Sequence, residues 1–279
     1  MAVKNFIPQI WSARLLEHLN KAHVYGNLVN KDYEGEIRNY GDTVKINQIG
    51  DIDIKDYTKG AIEDPDSLDG TQQTLTIDQA KYFNFSIEDV DNAQTNPKLM
   101  NDAMQRAAYG MNDVTDSFIA NLMAVNAGNK IGDDTTPIVP TKEDAYDYLV
   151  DMGTALTEAN VPLVGRWAVV PAWYHALLLK DDRFIKGGTD YNKAIIEGGE
   201  IGTAAGFTVY LSNNVPNTAG TKYKILGGVN MATSFAEQLV KVEAYRPEKS
   251  FADAVKGLNV YGSKVLQKNA LACMTVNKK

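Results

Sequence analysis

Two stretches in the first third of the chain alternate apolar and polar residues with a period of two. In GDTVKINQIGDIDIKDYTKG, residues 41–60, Val44, Ile46, Ile52 and Ile54 fall on even positions. Over 71–87, Leu75, Ile77, Phe83, Phe85 and Ile87 fall on odd positions. The opposite faces carry Lys45, Asn47, Asp51, Asp53 and Lys55, then Thr74, Thr76 and Asp78. This alternation is the mark of strands with one buried face. Between them lies a charged run punctuated by Pro65 and closed by Gly70. The pattern predicts a long β-hairpin, each arm able to exceed about 30 Å. An isolated two-stranded ribbon is marginal in water. Its apolar face needs a surface, either on its own domain or on another molecule.

Helical spacing marks two segments. Over 8–20, Ile10, Trp11, Leu15 and Leu19 predict a short amphipathic helix at the N-terminus, where chains fray unless docked. A second helix is predicted from Asn96, a suitable cap, and Pro97, suited to the first helical position, to Asn126. Its expected apolar stripe is Met100, Met104, Ala107, Met111, Val114, Phe118, Leu122 and Val125. At about 30 residues, or roughly 45 Å, it far exceeds the usual 11–12 residues and suits the spine of an extended molecule.

The texture changes at TTPIVPT, residues 135–141, to mixed α/β. Thr141 is a candidate cap for a helix with Ala145, Tyr148, Leu149, Met152 and Leu156 on its apolar face. A buried strand over 166–170 is followed by a helix opened by Pro171. Strands are predicted over 207–211, 223–226 and 240–245, the last leading out of this region. Residues 258–276 read as strands ending in the apolar LACMTV. No internal repeat or low-complexity tract interrupts the chain.

Composition narrows the function. The chain has 279 residues, 44% hydrophobic and 23% charged, ordinary values for a globular protein with a substantial core. No apolar run approaches the roughly 20 residues of a membrane-spanning helix, and the N-terminus lacks the pattern of a signal peptide. A single cysteine, Cys273, allows no internal disulfide, so a cytoplasmic site of synthesis is expected. The net charge is −7, with Lys and Arg scattered, which argues against a protein that grips nucleic acid.

Motifs for chemistry are weak. His18, His23 and His175 form no zinc-type pair, and no metal site, catalytic residue or cofactor site is assigned. GLNVYGSK, residues 257–264, resembles a phosphate loop with its last two residues inverted, and strand with turn is the better reading. DPDSLDG, residues 64–70, resembles a calcium loop with its acidic spacing off by one, and a solvated hairpin tip is preferred. The Gly-rich 187–202 reads as a loop without a fixed glycine fingerprint.

The order of these parts, with the segments FIPQIWSARLLEHL, GNLVNKDYEGEIRNYGDTVKINQIGD, TLTIDQAKYFNFSIEDVDNAQ, RAAYGMNDVTDSFIANL and GEIGTAAGFTVYLSNNVP, resembles the tailed-bacteriophage major capsid (coat) proteins, the Hong Kong 97-like fold family, along essentially the whole chain. The resemblance implies an α+β phage major capsid fold. Its parts would be an N-terminal arm (1–40), an extended β-hairpin loop (41–80), a peripheral domain with the spine helix (81–140 and 246–279) and an axial α/β domain (141–245). It implies an icosahedral shell subunit in the virion, not an enzyme, assembling in the host bacterial cytoplasm as hexamers and pentamers of itself. The extended loop would lie across the adjacent subunit. Expected inter-subunit contacts are Phe6, Ile7 and Trp11 on the arm and Lys55, Asp56, Tyr57, Lys59, Glu63 and Asp64 at the hairpin tip, where charge pairs would set register. The chain enters the arm directly, so a separate scaffolding protein is expected, together with a portal. Packaged double-stranded DNA would be a partner by proximity alone. Lys–Asn crosslinking, known in some relatives, is not carried over, because its Asn and Glu partners are not identifiable. Two other readings stay open: a cellular nanocompartment shell of the same fold, and a soluble enzyme built on 141–245.

Overall fold

The computed structural model describes residues 24–33, 40–49, 54, 59–60, 70–88, 99–181, 202–249 and 252–278. Its first half contains β1 (Thr43–Ile49), β2 (Gly70–Thr76), β3 (Gln79–Glu88), helix α1 (Leu99–Asn126), β4 (Asn129–Ile131), helix α2 (Ala145–Glu158), β5 (Trp167–Val170) and helix α3 (Ala172–Leu179). The second half contains β6 (Thr203–Ala204), β7 (Phe207–Leu211), β8 (Asn217–Thr218), β9 (Lys222–Gly228), β10 (Thr233–Tyr245), β11 (Ala252–Val265) and β12 (Leu271–Asn277).

β1 and β2 pair antiparallel, with Val44 opposite Leu75. The expected single return arm over 71–87 is instead two strands. The Ile77 carbonyl accepts from the Gly41 N–H at 2.9 Å, and the Ile77 N–H donates to the Asp42 carbonyl at 3.0 Å. These two bonds close the base of the ribbon. Past Asp78 the chain becomes β3 and joins a second sheet of order β10-β11-β3, all antiparallel. β10 starts seven residues before the predicted 240–245 and takes a register shift between Leu239 and Lys241.

β11 has two covered faces. Its odd positions turn Val255 toward Met104, Ala108 and Met111 of α1, with Phe83, Phe85 and Val242 packed around them. Its even positions turn Val260 toward the ribbon, where Val44, Ile46, Leu75 and Ile77 are buried with Val260 and Ala236. The root of the hairpin therefore packs on its own chain. A Cβ at Gly262 would stand 2.2 Å from the Thr76 carbonyl oxygen, so the ribbon crosses β11 where only glycine allows the backbones to meet. The near phosphate loop, 257–264, lies wholly within β11 as extended strand.

The larger sheet has the order β4-β12-β9-β5-β7-β6, with β8 on the flank of β9. β5 and β7 are parallel, as are β4 and β12; the remaining pairs are antiparallel. Trp167, Ala168, Val169 and Val170 are all buried, as befits a strand covered on both faces. The main core joins this sheet to α2, α3, the second half of α1, and Tyr25, Leu28 and Val29. Ala145, Leu149, Met152 and Leu156 bury the predicted face of α2. The turn before it is closed by reciprocal bonds: Asp144 accepts from the Thr141 N–H, and the Thr141 hydroxyl accepts from the Glu143 N–H. β12 lies second from the edge of the sheet, between β4 and β9, the latter drawn from 141–245.

The buried face of α1 differs from the predicted stripe. Met104 and Met111 are buried, but Val114 is 44% exposed and Val125 is 70% exposed. The buried positions instead run through Ala108, Asn112, Thr115, Asp116, Ile119, Ala120 and Met123. They step by nearly four residues, which winds the buried face around the helix. The first half can then lie on the small sheet and the second half on the main core. Three of these positions are polar, which hid the true face from a reading of apolar spacing.

Two glycine substitutions separate close approach from open space. Gly262→Ala should lower stability by about 1–3 kcal/mol, because the new methyl displaces the ribbon. Gly110→Ala, on an exposed stretch of α1 with no neighbour within 4 Å of a new Cβ, should raise it by about 0.5–1 kcal/mol. Thermal unfolding of the two proteins side by side checks the opposite signs.

Candidate assembly surface

Two segments, the β1–β2 ribbon and the chain entering at Val24, are fastened to the cores by different interactions. The entering chain is held by a buried carboxylate. Asp116, 2% exposed on α1, accepts from the N–H groups of Val24 at 2.7 Å, Tyr25 at 3.3 Å and Gly26 at 3.1 Å. Residues 25–27 form a 3-10 turn whose free N–H groups face this anion. Burial, with the Asp116 charge adding to it, holds the Tyr25 hydroxyl well above its ordinary range. Three residues past the turn's end, Asn30 bridges to β10: its N–H donates to the Thr233 carbonyl, and its carbonyl accepts from Phe235. Residues 24–30 are thus held at both ends, on α1 and on β10. The arm residues Phe6, Ile7 and Trp11 lie outside the described residues.

The hairpin root is fixed as firmly. Beyond its buried face, the Gln73 side-chain amide donates to the Leu266 carbonyl at 3.2 Å. Of the tip residues expected to make contacts, Lys59 is described and exposed; Lys55, Asp56, Tyr57, Glu63 and Asp64 lie outside the described residues. Ile54, on the apolar phase of the outgoing arm, is 93% exposed. The ribbon leaves part of the even face of β11 uncovered. There Tyr82, 78% exposed, and Leu258 border a groove of about 320 Å³ also lined by Glu243, Lys256 and Gly257. Lys256 lies 3.1 Å from Glu243 and over the Tyr245 ring.

The chemistry of the remaining candidates is modest. His175 sits half-buried on α3, and burial lowers its pKa. His18 and His23 lie outside the described residues, as do 64–69 of the near calcium loop and 187–201 of the Gly-rich stretch. Among the described residues no group of three or more His, Cys, Asp or Glu is placed to hold a metal ion, and no helix is long and apolar enough to cross a membrane. Cys273 is buried in β12, and burial pushes its thiol up to about 11.

Sequence reasoning missed Asp116, whose only local signal is a Thr-Asp pair on the inward phase of a helix. It also missed Arg166 and the apolar turn before it. Arg166 is 5% exposed and donates to the carbonyls of Pro162, Gly153 and Val161 and to the Thr157 hydroxyl.

Asp116→Ala leaves three donors without their anion and should cost about 3 kcal/mol. Limited proteolysis should then cut the chain near Val24 much faster than in the wild type, at a temperature where the rest stays folded. For Cys273, the raised pKa means the thiolate forms only well above neutral pH. Iodoacetamide at pH 8 should leave the native thiol unmodified for hours and label it within minutes in denaturant, as mass spectrometry reads directly.

Comparison with known proteins fits this architecture. A family model described as phage capsid protein matches residues 70–273. A solved chain from Mycobacterium phage Che8 is 30% identical, with a TM-score of 0.75, covering 90% of this chain and 90% of that one. The capsid structure of the cyanophage P-SCSP1u has 15% identity and a TM-score of 0.67, covering 87% of this chain and 85% of that one. A virus-like particle from Pyrococcus furiosus shares the fold at 13% identity and a TM-score of 0.59, covering 96% of this chain and 99% of that one. No curated protein sequence matches. With its family model spanning most of the chain and the Che8 protein alike over nine-tenths of both, this chain belongs to the phage capsid protein family.

Proposed function

We propose that the chain is the major structural subunit of an icosahedral phage shell, assembling from hexamers and pentamers of itself around double-stranded DNA. The observation that carries this is the pairing of firmly rooted projections with family membership. The β1–β2 ribbon and the chain entering at Val24 are each anchored in a packed core, and the sequences that adjoin these anchors, 50–69 and 1–23, are rich in charged and apolar residues. A projection anchored at one end in its own chain is suited to reach an adjacent copy. Assembly then proceeds by many modest contacts repeated around a closed surface.

Within this reading, residues 1–40 act as the arm and 41–80 as the extended loop. Residues 81–140 with 246–279 form the peripheral domain, and 141–245 the axial domain. Phe6, Ile7 and Trp11 bury apolar area on a neighbour. Lys55, Asp56, Tyr57, Lys59, Glu63 and Asp64 set register at the hairpin tip. Such charges select the correct pairing more than they add affinity. A separate scaffolding protein guides closure in the host cytoplasm, a portal occupies one vertex, and the acidic subunit contains DNA without adhering to it. The role is structural and involves no catalysis. The nanocompartment reading is not favoured, since the family model is a phage capsid one and the chain alike at 30% identity over nine-tenths of both is a phage chain.

Negative-stain microscopy of the concentrated protein, alone and with its scaffold, should show closed shells or hexamer-sized rings. Lys59→Glu should leave the thermal midpoint of the soluble subunit unchanged and lower the yield of regular shells several-fold. A subunit that stays monomeric under every condition, scaffold included, would overturn the proposal.

A further inference from the structure

The connection between α2 and β5 is a turn whose foot is buried and whose tip is bare. At the foot, the Asn160 N–H donates to Thr157 and the Val161 N–H to Leu156, both at 3.0 Å, and Val161 is 8% exposed. At the tip, Leu163 is 69% exposed and Val164 is 88% exposed. The turn is bracketed by two left-handed residues, Asn160 with φ 58° and Gly165 with φ 78°. Behind it sits the Arg166 guanidinium. Nε donates to the Pro162 carbonyl at 2.9 Å and Nη2 to the Val161 carbonyl at 2.6 Å, while Nη1 reaches the Gly153 carbonyl and the Thr157 hydroxyl, each at 3.0 Å. The Arg166 carbonyl in turn accepts from Thr208 of β7 at 2.9 Å, which ties the turn to the large sheet.

We propose that residues 160–165 form a preformed apolar knob that seats against a second copy of this chain in the shell; this rests on the capsid reading above. A connector that merely reverses the chain needs polar turn residues and no clamp. Here a cation is taken out of water with only carbonyls and a hydroxyl as partners, an expensive way to hold a loop. What the clamp achieves is a single conformation for a tip that carries no polar side chain. A contact ordered in advance loses little entropy on binding. Burying a Leu or Val side chain contributes about 1.5–3 kcal/mol, and a shell repeats that contribution at every subunit.

The occupant follows from the placement and the shape. The knob stands on the rigid body formed by α2 and the large sheet, not on the arm or the hairpin, and the chain belongs to a family that builds capsids. Two residues on a convex tip cover too little area to be an interface alone. They are one element of a larger contact with a differently shaped patch on the next copy. Such a contact is head-to-tail, and head-to-tail contacts close into rings when the rotation allows.

The test uses the full chain with both tip residues charged, Leu163→Asp with Val164→Asp. Both side chains face water in the subunit, so its thermal midpoint should not change. Shell or ring yield by sedimentation and negative stain should fall at least tenfold under conditions where the wild type assembles. Assembly of the variant at wild-type yield would overturn the knob while leaving the capsid reading intact. So would a variant that assembles alone but no longer recruits a scaffolding or decorating protein, since the knob would then serve another partner. A wild type that never assembles would count against the capsid reading itself.

Discussion

Strand β11 can be covered on both sides only because its side chains alternate and because two of its residues have none. Val255 and Gly257 face the spine helix and the phenylalanines of β3, while Val260 and Gly262 face the hairpin ribbon. A Cβ at Gly257 would stand 2.4 Å from the Phe83 ring, and one at Gly262 would meet the Thr76 carbonyl. The strand is thus the place where the hairpin ribbon is fastened to the body of the subunit. Its ladders to β10 and β3 hold that place rigid. Remove the fit at β11, and the ribbon has nothing to lie on.

This arrangement divides labour between parts of the chain. The main core, with Trp167, Tyr174, Phe207 and Met123 fully buried or nearly so, makes a subunit that folds around its own interior. The entering chain adds Tyr25, Leu28 and Val29 to that interior, while the ribbon buries its apolar face in a separate cluster with Ala236 and Val260. Each root uses a different kind of interaction. The ribbon is held by apolar area and backbone closeness, the entering chain by a carboxylate among three amide donors. Apolar roots hold best where water is excluded from both sides. A charged root suits the crevice that Asp116 shares with Tyr109, Asn112 and Leu211, where three amide donors face it.

Much of this was legible in the sequence where a single element decides its own fate. Alternation located the ribbon and its buried residues Val44, Ile46, Leu75 and Ile77. Apolar runs located β5, and β7 was read to the residue at both ends. The failures share one cause: they depend on residues far apart in the chain. The return arm splits at Ile77 and Asp78 because β11, over 170 residues later, captures β3. The face of α1 was misjudged because Asn112, Thr115 and Asp116 are buried, and Asp116 at least for partners some 90 residues earlier. The position of β12 beside β9 is a matter of pairing, which local periodicity does not encode.

The seven-residue root of the ribbon has a mechanical meaning. Ten residues on each side separate Ile49 from Gly70, a reach of up to about 33 Å when extended. The root acts as a bearing for the segment that joins its two strands. A tilt of about five degrees there would displace a point at that reach by about 3 Å. A shell made of such subunits can change curvature between five-fold and six-fold surroundings by small adjustments at each Gly262 crossing, with the body of every subunit left as it is.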